Sequence, residues 1–194
     1  MGTAVYRTVR TVVWEDGTPV NDVPPTRLYE ELGDENAQAI CLRDLVSLSR
    51  ENAVGEYYLK LKDLVGPAQW QKEREAVLKS TRSDLCRRTC LAAEGAAAEL
   101  WREVKDAGFY ELTRFEDALA ESYAEQIAAL YREQLLDDLA RASTRKGYQR
   151  ALITLKRIKR LPGGDSRAAE VARKVESLYP KRTALLDELS KALV

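Results

Sequence analysis

No histidine occurs among the 194 residues, and this absence restricts the chemistry more than any other feature. It removes Ser-His and Cys-His nucleophile activation, imidazole acid-base catalysis and every zinc site that needs an imidazole. Most common hydrolase mechanisms are thereby excluded. Cysteine is scarce too. Cys41, Cys86 and Cys90 are too few and too unevenly spaced for a secreted disulfide framework, so free, buried thiols are expected. No stretch approaches the roughly 20 apolar residues of a membrane helix, and the start Met1-Gly2-Thr3-Ala4-Val5-Tyr6-Arg7 lacks the apolar segment of a signal peptide. Tyr6 stands where the N-myristoylation pattern has Ser or Thr. No membrane association is expected, and the cytoplasm is the expected location. An excess of one charge is also missing: Lys plus Arg equals 31 and Asp plus Glu equals 31, so attraction to nucleic acid or an anionic surface must be local.

What is present is helical punctuation. Hydrophobic residues make up 45% and charged residues 32%, a balance that folds in water around one core. Residues 1–24 differ from the rest. Val9-Arg10-Thr11-Val12-Val13-Trp14, the turn-like Glu15-Asp16-Gly17 and the breakers Pro19, Pro24 and Pro25 predict an extended arm with a short strand, either packed onto the helices through Trp14 or mobile, with packing favoured. Residues 25–194 then read as one helical domain. Gly33, Gly55, Gly66-Pro67, Gly95, Gly108, Pro162-Gly163-Gly164 and Tyr179-Pro180 divide it into segments of ordinary helix length. Ser143 is the expected N-cap of a helix running to Leu161, and Pro180 the expected opening of the last helix.

Periodicity agrees with this division. Tyr148, Ala151, Leu152, Leu155 and Ile158 recur at three- and four-residue intervals and share one face, while Lys146, Arg150 and Arg157 share the opposite one. In the last segment Ala184, Leu185, Leu189 and Ala192 form an apolar stripe interrupted by Glu188.

An internal repeat is visible when Ala97-Ala98-Glu99-Leu100-Trp101-Arg102-Glu103 is aligned with Ile127-Ala128-Ala129-Leu130-Tyr131-Arg132-Glu133, 30 residues later. Ala68-Gln69-Trp70 precedes the first of these by 31 residues, aromatic to aromatic. A period near 30 suits one helical hairpin per unit. The predicted fold is therefore all-α, a tetratricopeptide-like helical-hairpin repeat array (α-solenoid), with Trp70, Trp101, Tyr131 and Tyr148 as its core aromatics. The strict tetratricopeptide consensus is missing.

Among candidate sites, Cys86 and Cys90 fall on one helix face, but the other half of a metal site is missing and buried small hydrophobes explain them better. Residues 103–138 hold ten acids against three bases without metal-ligand spacing, which reads as a solvated face. Gly163-Gly164-Asp165-Ser166 lacks the strand and lysine of a phosphate loop and reads as a turn. The strongest charge feature is the stretch 141–160, with Arg141, Arg145, Lys146, Arg150, Lys156, Arg157, Lys159 and Arg160 and no acid. Such a face either tracks a phosphate backbone, with Tyr148 adding stacking, or pairs with acidic helices of its own chain or of a partner protein. Pairing with acids is favoured.

The order of features resembles the helical region that follows the zinc finger in bacterial and archaeal SWIM zinc finger proteins. The resemblance rests on Glu56-Tyr57-Tyr58-Leu59-Lys60-Leu61 leading into Gln69-Trp70 and Arg74, on Leu91-Ala92-Ala93-Glu94-Gly95 before Leu100-Trp101, and on Ala128-Ala129-Leu130-Tyr131. It continues in Lys146-Gly147-Tyr148-Gln149-Arg150-Ala151 before Leu155-Lys156-Arg157, and in Tyr179-Pro180-Lys181-Arg182-Thr183-Ala184-Leu185-Leu186-Asp187-Glu188-Leu189. These cover about residues 40–192. The family's Cys-x-Cys and Cys-x-His metal motif cannot be assembled without histidine, so no zinc ligand is carried over. The resemblance implies a helical repeat that mediates contacts with protein or nucleic acid.

The sequence thus predicts a non-enzymatic interaction scaffold that binds a protein partner, with no catalytic residue, metal, cofactor or small-molecule substrate identified. The alternative is a nucleic-acid-associated module using the basic helix 143–161 through Lys146, Arg150, Arg157 and Arg160. An enzyme ranks third, and would require perturbed carboxylates converging in a cleft.

Overall fold

The computed structural model describes residues 4–8, 11–14, 30, 33–49 and 51–193. In the arm, β1 (Ala4–Thr8) and β2 (Thr11–Trp14) pair antiparallel, with Ala4 opposite Trp14 and Val5 opposite Val13. The expected packing of the Trp14 side chain, the turn at Glu15-Asp16-Gly17 and the prolines of the arm lie outside the described residues.

From residue 33 onward the described residues form ten helices joined by short turns. They are α1 (Glu35–Leu48), α2 (Glu51–Val65), α3 (Pro67–Ser80), α4 (Asp84–Glu94), α5 (Ala97–Val104), α6 (Phe109–Arg114), α7 (Glu116–Arg141), α8 (Arg145–Arg160), α9 (Gly164–Leu178) and α10 (Thr183–Leu193). No helix among the described residues is long and apolar enough to cross a membrane. Their contacts cluster into two compact units, residues 1–96 and 97–194.

In the first unit α2 packs against α1 and α4, and α3 lies against all three. Asp34 caps α1 by accepting from the Ala37 backbone N–H at 2.9 Å, and Ser83 caps α4 through Cys86 N–H at 3.2 Å. Gly95 closes α4 in the left-handed region, φ 75°, where a side chain would be strained. One predicted break is corrected. Gly55 does not end a helix but lies buried within α2. A Cβ there would stand 3.2 Å from the Ala93 Cβ, so the missing side chain lets α2 approach α4 closely. Its role is packing rather than termination.

In the second unit α8 is central, packed against α7, α9 and α10. Its periodic face is the buried one: Tyr148, Ala151, Leu152, Leu155 and Ile158 are all buried, joined by Thr154. Each large side chain so buried contributes roughly 1.5–3 kcal/mol of hydrophobic free energy. The cap of α8 is Thr144, whose hydroxyl accepts from Gly147 N–H at 3.1 Å, rather than Ser143. The last helix begins at Thr183, not at Pro180, because the Arg182 N–H closes a turn on the Tyr179 carbonyl at 3.0 Å before helical bonding starts. α7 carries a bend that nothing in its composition announces: Tyr123 leaves helical geometry at φ −132°, ψ 22°. Its ring stacks on Trp101 of α5, centroids 4.8 Å apart. Gly164 sits so close to the end of α8 that a Cβ would stand 2.1 Å from the Ile158 carbonyl oxygen.

Candidate interaction surface

The basic residues of 141–160 part into two groups. One group is engaged within its own unit. Arg157 reaches Glu116 at 3.2 Å, Arg145 reaches Asp187 at 2.9 Å and Glu188 at 3.3 Å, and Arg141 reaches Asp137 at 3.3 Å. The Lys159 ammonium donates to the Leu193 carbonyl at 2.5 Å. The other group is Lys146, Arg150, Lys156 and Arg160, all exposed and without an ion pair to any described residue. Of the four cations singled out in the sequence, Lys146, Arg150 and Arg160 therefore face solvent, whereas Arg157 is half-buried and turned inward. Ile153 stands among them with 54% of its surface exposed.

The inward group explains a feature left open in the sequence. Glu188 interrupts an apolar stripe because it is buried against α8, accepting from Gln149 at 2.8 Å and from Lys191 at 3.2 Å. These donors hold its carboxyl below the usual range, against the opposing effect of desolvation. Arg182 performs a related task at the end of α7. Its guanidinium donates to the carbonyls of Leu139 at 2.8 Å and Ala142 at 3.3 Å, satisfying acceptors that a helix terminus leaves without partners.

The four aromatics occupy different settings. Trp70, Tyr131 and Tyr148 are buried, while Trp101 is half-buried on the ring of Tyr123. The aligned stretches are not equivalent in packing, since Leu100 is fully buried and its counterpart Leu130 only half-buried. Trp70 belongs to a cluster that sequence reasoning missed. Glu94, at the end of α4, accepts from Trp70 Nε1 at 3.0 Å, Tyr58 Oη at 3.0 Å and Arg74 Nε at 2.7 Å, and pairs with Lys62 at 3.1 Å. Burial alone would raise its pKa, but the four donors outweigh it and bring the carboxyl down to about 2. Tyr58 is pushed up, by burial first and by Glu94 second. A carboxylate with its lone pairs this fully engaged ties α2, α3 and α4 together and is not poised to exchange a proton near neutrality.

The cysteines are buried and free. Burial raises Cys41 to about 11, with Asp44 adding to it, and raises Cys90 to about 12, with Cys86 and Glu94 adding to it. These two are not activated nucleophiles. Among the described residues no group of His, Cys, Asp or Glu is arranged to hold a metal ion. Gly163-Gly164-Asp165-Ser166 forms the turn into α9, with Arg167 donating to the Pro162 carbonyl.

Two shallow grooves open on the second unit. The first, of about 220 Å³, has a floor of Ala128, Ala129, Ile158 and Val171 and a rim of Glu125, Arg132, Arg167 and Glu170. The second, of about 240 Å³, is floored by Phe109, Leu112 and Leu130 and edged by Lys105, Glu133 and Asp137. Both fall below the roughly 300–1,000 Å³ of small-molecule sites, and suit a protruding side chain better than a whole cofactor. No protein-family model, curated protein or solved structure matches the chain.

Proposed function

We propose that the chain is a non-enzymatic interaction scaffold, a tetratricopeptide-like array of helical hairpins that binds a protein partner in the cytoplasm without a cofactor. The observation that carries this reading is the first groove. Three helices, α7, α8 and α9, contribute to it, its floor is apolar and its rim carries both signs of charge. An apolar centre inside a polar rim is the anatomy of a protein-binding patch. The small side chains Ala128 and Ala129 leave room for an anchor from a partner. The resemblance to the helical region of SWIM zinc finger proteins supports the same role. Affinity capture from a native lysate, with and without nuclease, tests it. Proteins retained after nuclease by the wild type and lost by Ala129→Trp, which fills the groove, support the reading. Recovery that vanishes with nuclease contradicts it.

The alternative is a nucleic-acid-associated module on the basic helix 143–161. The exposed Lys146, Arg150 and Arg160 favour it; Arg157, the fourth residue it would use, is engaged by Glu116. That reading requires affinity that falls steeply with salt, by about one unit of logarithmic slope per phosphate neutralised.

A further inference from the structure

We propose that the outward face of α8 docks an acidic, amphipathic segment of a protein partner, an inference that rests on the scaffold reading and names its chemistry. Lys146, Arg150, Ile153 and Arg160 follow one another at four-, three- and seven-residue steps, so they form one row along the helix, with Lys156 beside it. The row is about 21 Å long at 1.5 Å per residue. The other faces of α8 are covered by α7, α9 and α10. Arg157 shares this row but is spent on Glu116 of α7, and Arg145 and Lys159 have partners in α10, whereas Lys146, Arg150, Lys156 and Arg160 have no ion-pair partner among the described residues.

The charge calls for an anionic ligand, and Ile153 decides which kind. It is 54% exposed in the middle of the row, flanked by Arg150 and Lys156. A phosphate backbone has nothing to place on an isoleucine, whereas an acidic helix with one apolar residue per turn covers it and pairs with the cations on either side. The long stems of Arg150 and Lys156 extend the apolar strip that such an anchor would meet.

The test is fluorescence anisotropy with the full chain and three labelled probes. The first is a glutamate-rich helical peptide about four turns long with leucine on one face. The second is the same peptide with those leucines changed to serine, and the third is an oligothymidylate of equal charge. The expected order places the leucine peptide first, bound about tenfold more tightly than the serine peptide and more tightly than the oligothymidylate. Arg150→Glu weakens the leucine peptide about tenfold or more, Ile153→Ser weakens it several-fold, and Lys174→Glu on α9 leaves it unchanged. Arg150, Ile153 and Lys174 are all exposed, so unfolding does not confound the comparison, and unchanged thermal midpoints verify this. Equal binding of the two peptides, tighter binding of the oligothymidylate, or indifference to Ile153→Ser overturns the proposal. Ala129→Trp separates it from the scaffold reading: that groove variant keeps wild-type peptide affinity even where it loses captured proteins.

Discussion

The phenol of Tyr131 donates its hydrogen bond to the carboxylate of Glu116, although fifteen residues separate them on α7. On a straight helix they would lie about 22 Å apart. The bend at Tyr123 folds the first turns of α7 back, and Arg157 of α8 donates to the same carboxylate oxygen at 3.2 Å. Burial and Glu116 together push the Tyr131 hydroxyl above its ordinary pKa, so it remains a donor throughout the physiological range.

Tyr131→Phe should therefore destabilise the protein by about 1.5–3 kcal/mol, the usual worth of a buried hydrogen bond to a charged group. Urea unfolding measures it. A double-mutant cycle with Arg157→Met should show coupling, because both donors share one carboxylate; strictly additive losses would contradict the shared site.

Acid should weaken the first unit through Glu94. Its carboxyl lies near 2 in the folded chain against an ordinary 4.5, so between these values the unfolded chain binds more protons. The contribution is complete above about 4.5 and is lost as pH falls through about 2. Denaturation followed by circular dichroism across this window should show stability falling with pH, and Glu94→Gln should flatten that dependence while lowering stability near neutrality.

Two glycine-to-alanine changes should diverge. Gly164→Ala drives a methyl to 2.1 Å from the Ile158 carbonyl oxygen, a backbone atom that cannot step aside, and should cost about 3 kcal/mol or more. Gly55→Ala meets the Ala93 methyl at 3.2 Å, and the helix-propensity gain of about 1 kcal/mol offsets much of that crowding. Thermal melts of both variants compare them directly.

The three thiols should resist alkylation by iodoacetamide in the native protein at mildly alkaline pH and all react in denaturant, because each is buried. Rapid native modification of Cys41 or Cys90 would show that burial is incomplete.

Much of the helical plan was legible in the chain. The apolar row Tyr148, Ala151, Leu152, Leu155 and Ile158 is the buried face of α8, Gly66, Gly95, Gly108 and Pro162-Gly163 fall between helices, and Pro67 opens α3, because local backbone preferences set these features. What escaped was tertiary. The bend at Tyr123 has no glycine or proline to mark it, and Gly55 looks like a stop until its neighbour Ala93 is known. Glu94 gathers donors from residues 58 and 62 of α2 and 70 and 74 of α3; the four-residue spacing puts each pair on one helix face, but only tertiary packing brings the two pairs to one carboxylate. Glu188 did leave a trace: a lone acid on an apolar stripe signals a partner across the interface, supplied by Gln149 and Arg145. Arg157 shared a face with Lys146 and Arg150 in projection, yet its length let it turn to Glu116.

The central claim, that the first groove receives a protein, is tested most directly by a photo-crosslinking amino acid placed at Ala129 on its floor. Irradiation in a native lysate should give a protein adduct that survives nuclease and is absent when the crosslinker is moved to exposed Lys174 of α9. No adduct from position 129, or one that disappears with nuclease, would contradict the account.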